Sequence, residues 1–357
     1  MLGASLYLAE GTEKNLAFID RMHKAGVQTI FTSMHIPEED PKETVSALKQ
    51  ITEKMQTYGM ELMIDISSDT FKIYNIEKEN ATKFFKDLGV DSLRMDYGFT
   101  FQEMKDLSKD FKIVLNASTI DETTNNRLEK VGFSLKDITV CHNFYPRENT
   151  GLGRKFLYER NAYLHEKGYR IQAFIPGDQE KRGPVFAGLP TLEEHRDADP
   201  LWAYLDLVEN FFVDEVFIGD IEMNKENLKR IEEWQKEAII TLPLATTYTK
   251  VPENFYHTHA NRPDIAADVV RASHSRIELA DLTIQPSNNN VERSAGTITI
   301  DNHRYGRYAG EIQITKRDLP VDKRVNVLGK VTDKAFPLLF FIQEQTKFKF
   351  IRRATNE

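Results

Sequence analysis

Carboxylates stand at the ends of several short apolar runs of this chain, where they could do acid–base chemistry. The four of interest are Asp65, Asp96, Asp220 and Glu222. Two carboxyl groups held close together can serve as acid and base, because each charge shifts the pKa of its neighbour, and glycoside hydrolysis uses such a pair. We therefore predict that these residues are catalytic. As structural alternatives, Arg94 and Asp96 could form an ion pair, and Asp65 and Asp220 could cap helices.

Other polar side chains near the same run ends form a predicted substrate-binding set. Polar groups are costly to bury unless they line a wet pocket or bond to one another. The set comprises Tyr7, Arg94, Asn116, His142 and Asn143. Alternation along a strand predicts the same inward direction for further polar residues, which are Ser5, Ser33, His35, Ser67, Ser118 and Gln172.

A basic loop with two glycines follows the sixth run and leads into a helical segment. It carries Arg147, Gly151, Gly153 and Arg154. Backbone N–H groups at a helix N-terminus bind anions, and arginine adds charge. The loop is therefore predicted to bind a phosphate; the alternative is an ordinary turn with solvated basic residues. A second long loop, residues 177–190, is predicted to be a lid or a domain contact.

The elements that must position these groups alternate between short apolar runs and longer segments of helical period. Eight such units in about 240 residues predict a (β/α)₈ TIM barrel, whose active site lies at the carboxyl ends of the strands. A glycine precedes five of the strands, at the position that follows a helix C-cap; these are Gly26, Gly59, Gly89, Gly132 and Gly168. The predicted strands are Leu2 to Leu8, Thr29 to Met34, Glu61 to Ser67, Ser92 to Tyr97, Lys112 to Ser118, Ile138 to Tyr145, Tyr169 to Pro176 and Glu215 to Asp220.

The pattern changes near residue 241, after which short Thr- and Val-rich runs are separated by turns. These runs predict a small β-barrel, so the chain is expected to be an α/β protein with a barrel domain at 1–240 and a β domain at 241–357. Two helix starts are also predicted, one from the capping-box spacing of Thr191 and Glu194 and one for a helix at Asp264 to Ser273. The predicted β runs are Thr297 to Ile300, Glu311 to Ile314, Val325 to Val331 and Lys347 to Ile351.

The charge balance and the cysteine content exclude several classes of partner. A net charge of -8 and a pI near 5.7 argue against nucleic acid, because phosphate neutralisation needs a basic face. The single cysteine, Cys141, cannot form an intrachain disulfide and indicates a reducing compartment. We find no secretory signal and no apolar run of about 18 residues, so a cytoplasmic protein without a membrane partner is expected.

Neither a metal nor another cofactor is predicted. A metal-dependent barrel hydrolase would carry an HxH sequence at the end of its first strand, where this chain has Ser5 and Tyr7. The only HxH sequence, His257 to His259, lies in the second domain. A pyridoxal-phosphate barrel would need a lysine at its mouth, and the first strand has none.

Blocks along the full length of the chain resemble the bacterial family first catalogued as domain of unknown function 871. The blocks are Gly3 to Tyr7, Ile30 to Met34, Gly183-Pro184, Gly188 to Glu193, His195-Arg196, Ser275-Arg276 and, as the most specific, Asp301 to Glu311. Members are similar to 6-phospho-N-acetylmuramidases, cytoplasmic glycosidases of cell-wall recycling that cleave a phosphorylated N-acetylmuramic acid to N-acetylglucosamine disaccharide. The resemblance implies a barrel joined to a cyclophilin-like β domain, and a small phosphosugar as substrate.

With such a substrate, the helix start at Gly151 to Lys155 would hold the 6-phosphate. Arg307, next to Tyr308, or Arg94 would bind the lactyl carboxylate. The 2-acetamido group of the sugar could replace an enzyme nucleophile, with one acid polarising the amide and another protonating the leaving oxygen. Two other functions stay open: a carbohydrate- or peptide-binding protein anchored by Tyr305, Arg307 and Tyr308, and a phosphosugar isomerase or epimerase.

Overall fold

The computed structural model of the chain describes residues 1–34, 41–247, 251–287 and 291–352. It consists of two compact units, Met1–Leu228 and Lys229–Glu357, and each unit contains its own sheet. In the described ranges, no helix combines the length and the apolarity needed to cross a membrane. His35, which was predicted to face inward, lies outside the described residues.

The first unit is a closed barrel of eight parallel strands, which confirms the predicted TIM barrel. Ser33 pairs with Asp65, and Asp65 pairs with Arg94, so these three residues stand at one level of the barrel on neighbouring strands. The strands are β1 (Leu2–Ser5), β2 (Thr29–Ser33), β3 (Glu61–Ile66), β4 (Ser92–Met95), β5 (Lys112–Asn116), β6 (Thr139–Cys141), β7 (Arg170–Ile175) and β8 (Glu215–Ile218).

Helices lie between successive strands and end where the glycine pattern predicts. Gly89 and Gly168 adopt φ angles of 70° and 88°, a left-handed conformation that closes a helix end at little cost only for glycine. The helices are α1 (Thr12–Lys24), α2 (Pro41–Thr57), α3 (Ser68–Ile73), α4 (Ala81–Asp87), α5 (Phe101–Leu107), α6 (Glu122–Lys130), α7 (Arg154–Glu166), α8 (Pro200–Asn210) and α9 (Lys225–Glu237).

An apolar layer fills the interior of the barrel beneath its polar strand ends. The rings of Phe31 and Phe174 meet edge to face with centroids 5.5 Å apart, and Phe217 packs against both. Gly3 leaves room for this layer, because a Cβ atom there would lie 2.4 Å from the Phe217 ring. Met63, Val114 and Cys141 complete the cluster, so the single cysteine is a packing residue of the core.

Strand β6 is shorter than predicted because the chain leaves the barrel soon after Cys141. The Tyr145 N–H donates to the Pro190 carbonyl at 2.9 Å, and Leu152 forms a bridge with Leu192. The segment after β6 therefore pairs with the segment after β7. As a result, Asn143 and Tyr145 lie in a loop above the barrel and not in a strand.

The second unit contains a seven-stranded sheet in the order β10-β15-β9-β14-β12-β13-β11. A bridge between Asn261 and Ala272 links the segments that follow its two edge strands, so the sheet is nearly closed. The strands are β9 (Ile239–Thr247), β10 (His259–Ala260), β11 (Val269–Arg271), β12 (Thr297–Asp301), β13 (Ile312–Thr315), β14 (Val325–Val331) and β15 (Lys347–Arg352).

Two predicted helix starts are wrong. The segment Asp264 to Ser273 contains strand β11, and a helix of four residues, α10 (Ser275–Glu278), follows it. Thr191 does not begin a helix, because its hydroxyl bonds to the Phe174 N–H and the Asn143 carbonyl. The next helix, α8, begins later and is capped by Asp199.

Candidate active site

A pocket of about 510 Å³ opens at the carboxyl ends of the barrel strands. Its wall combines strand-end residues with parts of the loops that follow β6 and β7. The loop at 177–190, predicted to be a lid or a domain contact, contributes Arg182 and Pro184 to this wall. The lining residues are Tyr7, Phe31, Thr32, Ser33, Asp65, Arg94, His142, Asn143, Phe144, Tyr145, Phe174, Arg182 and Pro184.

Asp65, Arg94 and Asn143 form one polar cluster at this pocket. The Arg94 Nη1 donates to Asp65 Oδ1 at 2.7 Å, and Nη2 donates to the Asn143 side-chain oxygen. Arg94 is only 4% exposed, and its positive charge is matched by the carboxylate beside it. The Arg94 Nε has no hydrogen-bond partner within the described residues. The predicted alternative of an ion pair for Arg94 is thus realised with Asp65 and not with Asp96.

Tyr7 contributes an aromatic ring to the wall of the pocket. Its hydroxyl donates to the Gly219 carbonyl, which follows β8. Burial raises the pKa of this hydroxyl well above its ordinary value, so the phenol is neutral at physiological pH. The Arg182 guanidinium lies over the ring, 4.5 Å from its centroid.

Asp96 and Asn116 lie further along the ends of β4 and β5. Asp96 is exposed, and its carboxylate accepts a long hydrogen bond of 3.4 Å from the Asn116 side chain. Asn116 also accepts from the Ser118 N–H at 3.0 Å. Since the Asp96 N–H bonds to the Ile66 carbonyl, Asp96 stands on the strand next to Asp65, about two residues nearer the rim. The carboxylate is therefore open to solvent.

Asp220 was predicted to be catalytic, but its geometry gives it a different role. The side chain is fully buried and accepts hydrogen bonds from the N–H groups of Gly177, Arg182 and Leu189, at 2.9, 3.0 and 3.1 Å. Burial raises the pKa of this carboxyl, and the three N–H donors oppose that effect. The Asp220 carboxylate therefore anchors the loop after β7.

Glu222 and His142 also make contacts that point away from chemistry on a ligand. Glu222 lies 3.5 Å from the Arg21 guanidinium and does not line the pocket. The His142 ring bonds to Asn161 of α7 at 2.6 Å, and Asn161 in turn donates to the Phe211 carbonyl. Burial lowers the pKa of His142 to about 4, so it is neutral at pH 7. We assign both residues structural roles.

The geometry argues against the predicted phosphate site in the loop after β6. The Glu193 carboxylate accepts from the N–H groups of Asn149 and Gly151, at 2.9 and 2.7 Å. The Arg196 guanidinium, together with those two N–H donors, lowers the pKa of Glu193 to about 2. A carboxylate of the protein thus occupies the place predicted for an anion. Gly151 has a second reason to be glycine, since a Cβ atom would lie 2.6 Å from Glu193.

The other residues of the predicted phosphate site differ in how they are bonded. Arg154 bonds to both oxygens of Asp206, at 2.7 and 3.0 Å, and to Glu194 at 3.2 Å. Gly153 caps α7 without a side-chain bond. Arg147 is exposed, and its carbonyl accepts from Arg196.

Sequence reasoning missed two arginines that organise this end of the barrel. Arg196 is 8% exposed and donates to Glu193 and to the carbonyls of Tyr145, Arg147 and Gly188, so it ties together the loops after β6 and β7. Arg182 lies on the pocket wall. Two features of the sequence could have pointed to these arginines. Arg182 lies in the unusually long loop at 177–190, and Arg196 belongs to a block that resembles the family.

Arg307 and Tyr308 belong to the second unit, near a group of buried carboxyls. Arg307 donates to the Tyr308 hydroxyl at 2.8 Å, and Arg276 lies over the Tyr308 ring. Burial, with the nearby charges of Glu311 and Asp322, raises the pKa of Asp301 to about 7. Within the described ranges, no group of three or more His, Cys, Asp or Glu residues is arranged to hold a metal ion.

The fold and the pocket define a (β/α)₈-barrel protein with a polar pocket at the carboxyl ends of its strands, followed by a β unit. The chain belongs to the 6-phospho-N-acetylmuramidase family: the family's N-terminal model matches residues 2–233 and its C-terminal model matches residues 239–351. Among curated proteins, none matches the chain.

Two solved structures are similar over nearly the whole chain. A conserved Enterococcus faecalis protein of unknown function is 34% identical, with 99% of this chain and 97% of that chain covered and a TM-score of 0.89. An uncharacterized B. cereus protein is 26% identical, with 98% and 99% covered and a TM-score of 0.77. These likenesses extend through both units.

Proposed function

We propose that the protein is a glycosidase that cleaves 6-phospho-N-acetylmuramic acid glycosides during cytoplasmic recycling of cell-wall sugars. The observation that carries this proposal is the match of both parts of the chain to the 6-phospho-N-acetylmuramidase family. The second unit, in this proposal, is a cyclophilin-like domain. The pocket at the strand ends supplies a carboxylate and several hydrogen-bonding groups, as a sugar site requires.

Asp65 and Asp96 are the two carboxylates that we assign to the chemistry. Asp65 lines the pocket and is oriented by Arg94, which suits a group that polarises the 2-acetamido amide of the substrate. Asp96 stands one strand away and is exposed, and in this proposal it protonates the leaving oxygen. Asn116 orients Asp96 through its amide group.

The attacking group in this scheme belongs to the substrate. The acetamido oxygen attacks the anomeric carbon, the bond to the leaving oxygen breaks, Asp96 delivers a proton to that oxygen, and Asp65 accepts the amide N–H proton, which leaves a neutral oxazoline. Water then opens the resulting oxazoline. Trapping an oxazoline supports this course, whereas a covalent glycosyl-enzyme on Asp65 supports the two-step route with an enzyme nucleophile.

The test is hydrolysis of 4-nitrophenyl 6-phospho-N-acetylmuramide by the full chain. We expect Asp96→Asn to lower kcat by roughly 100- to 10,000-fold, because the proton donor is lost. Asp65→Asn should have an effect of similar size. Asp87→Asn, at the exposed end of α4, is the matched control and should retain full activity. Wild-type rates in both Asp65→Asn and Asp96→Asn, or no cleavage by the native chain, would contradict the proposal.

A further inference from the structure

The charges that line the barrel pocket do not cancel. The pocket lining contains one carboxylate, Asp65, and two arginines, Arg94 and Arg182. His142 adds no charge, because burial lowers its pKa to about 4. Asp65 is paired with Arg94 at 2.7 Å, which leaves the charge of Arg182 uncompensated. Among the charged side chains of the pocket lining, the guanidinium of Arg182 is thus the one that can pair with an anionic ligand.

Arg182 makes contacts that hold its position without neutralising it. Its backbone N–H donates to the buried Asp220 carboxylate, and its guanidinium lies over the Tyr7 ring. In the part of the chain that the structure describes, no carboxylate forms a salt bridge with this guanidinium. A guanidinium carries five N–H donors in a fixed planar arrangement, which matches the oxygens of a phosphate in a bidentate contact.

The support beneath Arg182 is rigid on both sides. Tyr7 is fixed by its bond to the Gly219 carbonyl, and Asp220 also holds Gly177 and Leu189 of the same loop. A side chain that is already positioned loses little conformational entropy when a ligand binds. In contrast, Arg154 is paired with Asp206, and Arg196 is paired with Glu193.

We propose that Arg182 binds the phosphoryl group of the substrate and so determines the preference for a 6-phosphorylated sugar. This inference rests on the proposed function for its substrate class. The place in the fold agrees with it: Arg182 lies in the loop after β7, next to the end of β8, and phosphate sites of TIM barrels are frequently built from the loops after strands seven and eight.

The test is direct binding, which does not depend on turnover. The affinity of the full chain for N-acetylglucosamine 6-phosphate is measured by titration calorimetry and compared with that for N-acetylglucosamine. We expect Arg182→Gln to weaken binding of the phosphorylated sugar by roughly 10- to 100-fold, as expected for losing a hydrogen bond to a charged group. Arg182→Lys should recover part of the affinity, since it keeps the charge and loses the bidentate geometry.

Two further variants separate this site from its rivals. Arg147→Gln, in the loop after β6, tests the site predicted from sequence, and Lys109→Gln removes an exposed charge beyond the end of α5. We expect neither to change the affinity. A loss in Arg147→Gln with no loss in Arg182→Gln would overturn the proposal, and so would equal binding of the two sugars by the native chain.

N-acetylmuramic acid, with and without its 6-phosphate, distinguishes the two anionic groups of the substrate. If the loss in Arg182→Gln follows the phosphate, the proposal is supported. If the variant loses affinity for unphosphorylated N-acetylmuramic acid and keeps its affinity for N-acetylglucosamine 6-phosphate, Arg182 binds the lactyl carboxylate and the proposal is wrong. Failure of hydrolysis with intact, Arg182-dependent phosphosugar binding would count against the proposed reaction alone.

Discussion

The loop after β6 and the barrel pocket both contain arginine, and they use it in opposite ways. Around the loop, Glu193 accepts from Arg196 and from two N–H groups of the loop, and Asp206 of α8 accepts from Arg154 and lies 2.9 Å from His195. In the pocket, Arg182 rests on a neutral aromatic ring. Charges matched within the protein stabilise its fold, whereas an unmatched charge in a pocket is available to a ligand.

The largest effect that would test this contrast is expected from Asp206→Ala. The Asp206 side chain is 2% exposed and contacts Arg154, His195 and Asn210, so its removal leaves buried polar groups without a partner. We expect a fall in the free energy of unfolding of about 3–5 kcal/mol, measured by urea denaturation. Glu209→Ala, exposed on the same helix, should change it by less than about 0.5 kcal/mol. If Asp206→Ala and the native chain have equal free energies of unfolding, this cluster does not stabilise the fold.

A smaller effect, with a defined dependence on pH, is expected for Glu193. Its pKa is lowered from 4.5 to about 2 in the folded protein. The stabilisation is therefore complete above pH 4.5 and is lost as the pH falls towards 2. Glu193→Gln should lower stability at pH 6 by about 1.5–3 kcal/mol and should flatten the acid loss. Urea denaturation at pH 3 and pH 6 measures both, with Glu148→Gln, an exposed side chain in the loop after β6, as control. An unchanged acid loss in Glu193→Gln would contradict this account.

The smallest effect at acid pH is expected for Asp301 in the second unit, where the sign is reversed. Burial raises the pKa of Asp301 from 3.8 to about 7, so the folded state holds a proton that the unfolded state releases. Stability should therefore fall as the pH rises from about 4 to about 7. Asp301→Asn should match the native chain near pH 4 and exceed it at pH 8. Asp333→Asn, which alters a side chain that is 96% exposed, is the control. If the free energy of unfolding depends on pH in the same way in the native chain and in Asp301→Asn, the expected loss of stability between about pH 4 and pH 7 is not caused by Asp301.

The barrel and part of its pocket could be predicted because local rules govern them. Strand alternation predicts that Asp65 and Arg94 face the interior, and the glycines that follow helices mark where each unit ends. Asp220 and Asp65 are both aspartates at the end of a predicted strand, and strand alternation predicts that both face inward. The sequence alone therefore does not distinguish their roles. Only the course of the loop after β7, which folds back onto Asp220, separates an anchor from a pocket carboxylate.

The contacts that argue against the predicted phosphate loop are also long-range. Gly151 and Arg154 have the residue types of an anion site, but their partners, Glu193 and Asp206, lie more than 40 residues further along the chain. Nothing in the loop itself reveals that its donors are taken. The same holds for Arg182, whose placement over Tyr7 joins the two ends of the barrel sequence. Hydrophobic periodicity and residue spacing do not predict contacts between residues so far apart in the sequence.

The hydrogen bonds that Asp220 accepts fix three residues of the loop after β7 and leave another part of that loop exposed. Gly177, Arg182 and Leu189 are clamped at three points, while Val185 and Phe186 between the last two project into solvent. The Phe186 N–H bonds back to the Arg182 carbonyl at 3.2 Å, so the exposed segment is still tied to the residue on the pocket wall. A substitution that disturbs this bond should shift the backbone of Arg182, even though the substituted side chain itself points into water.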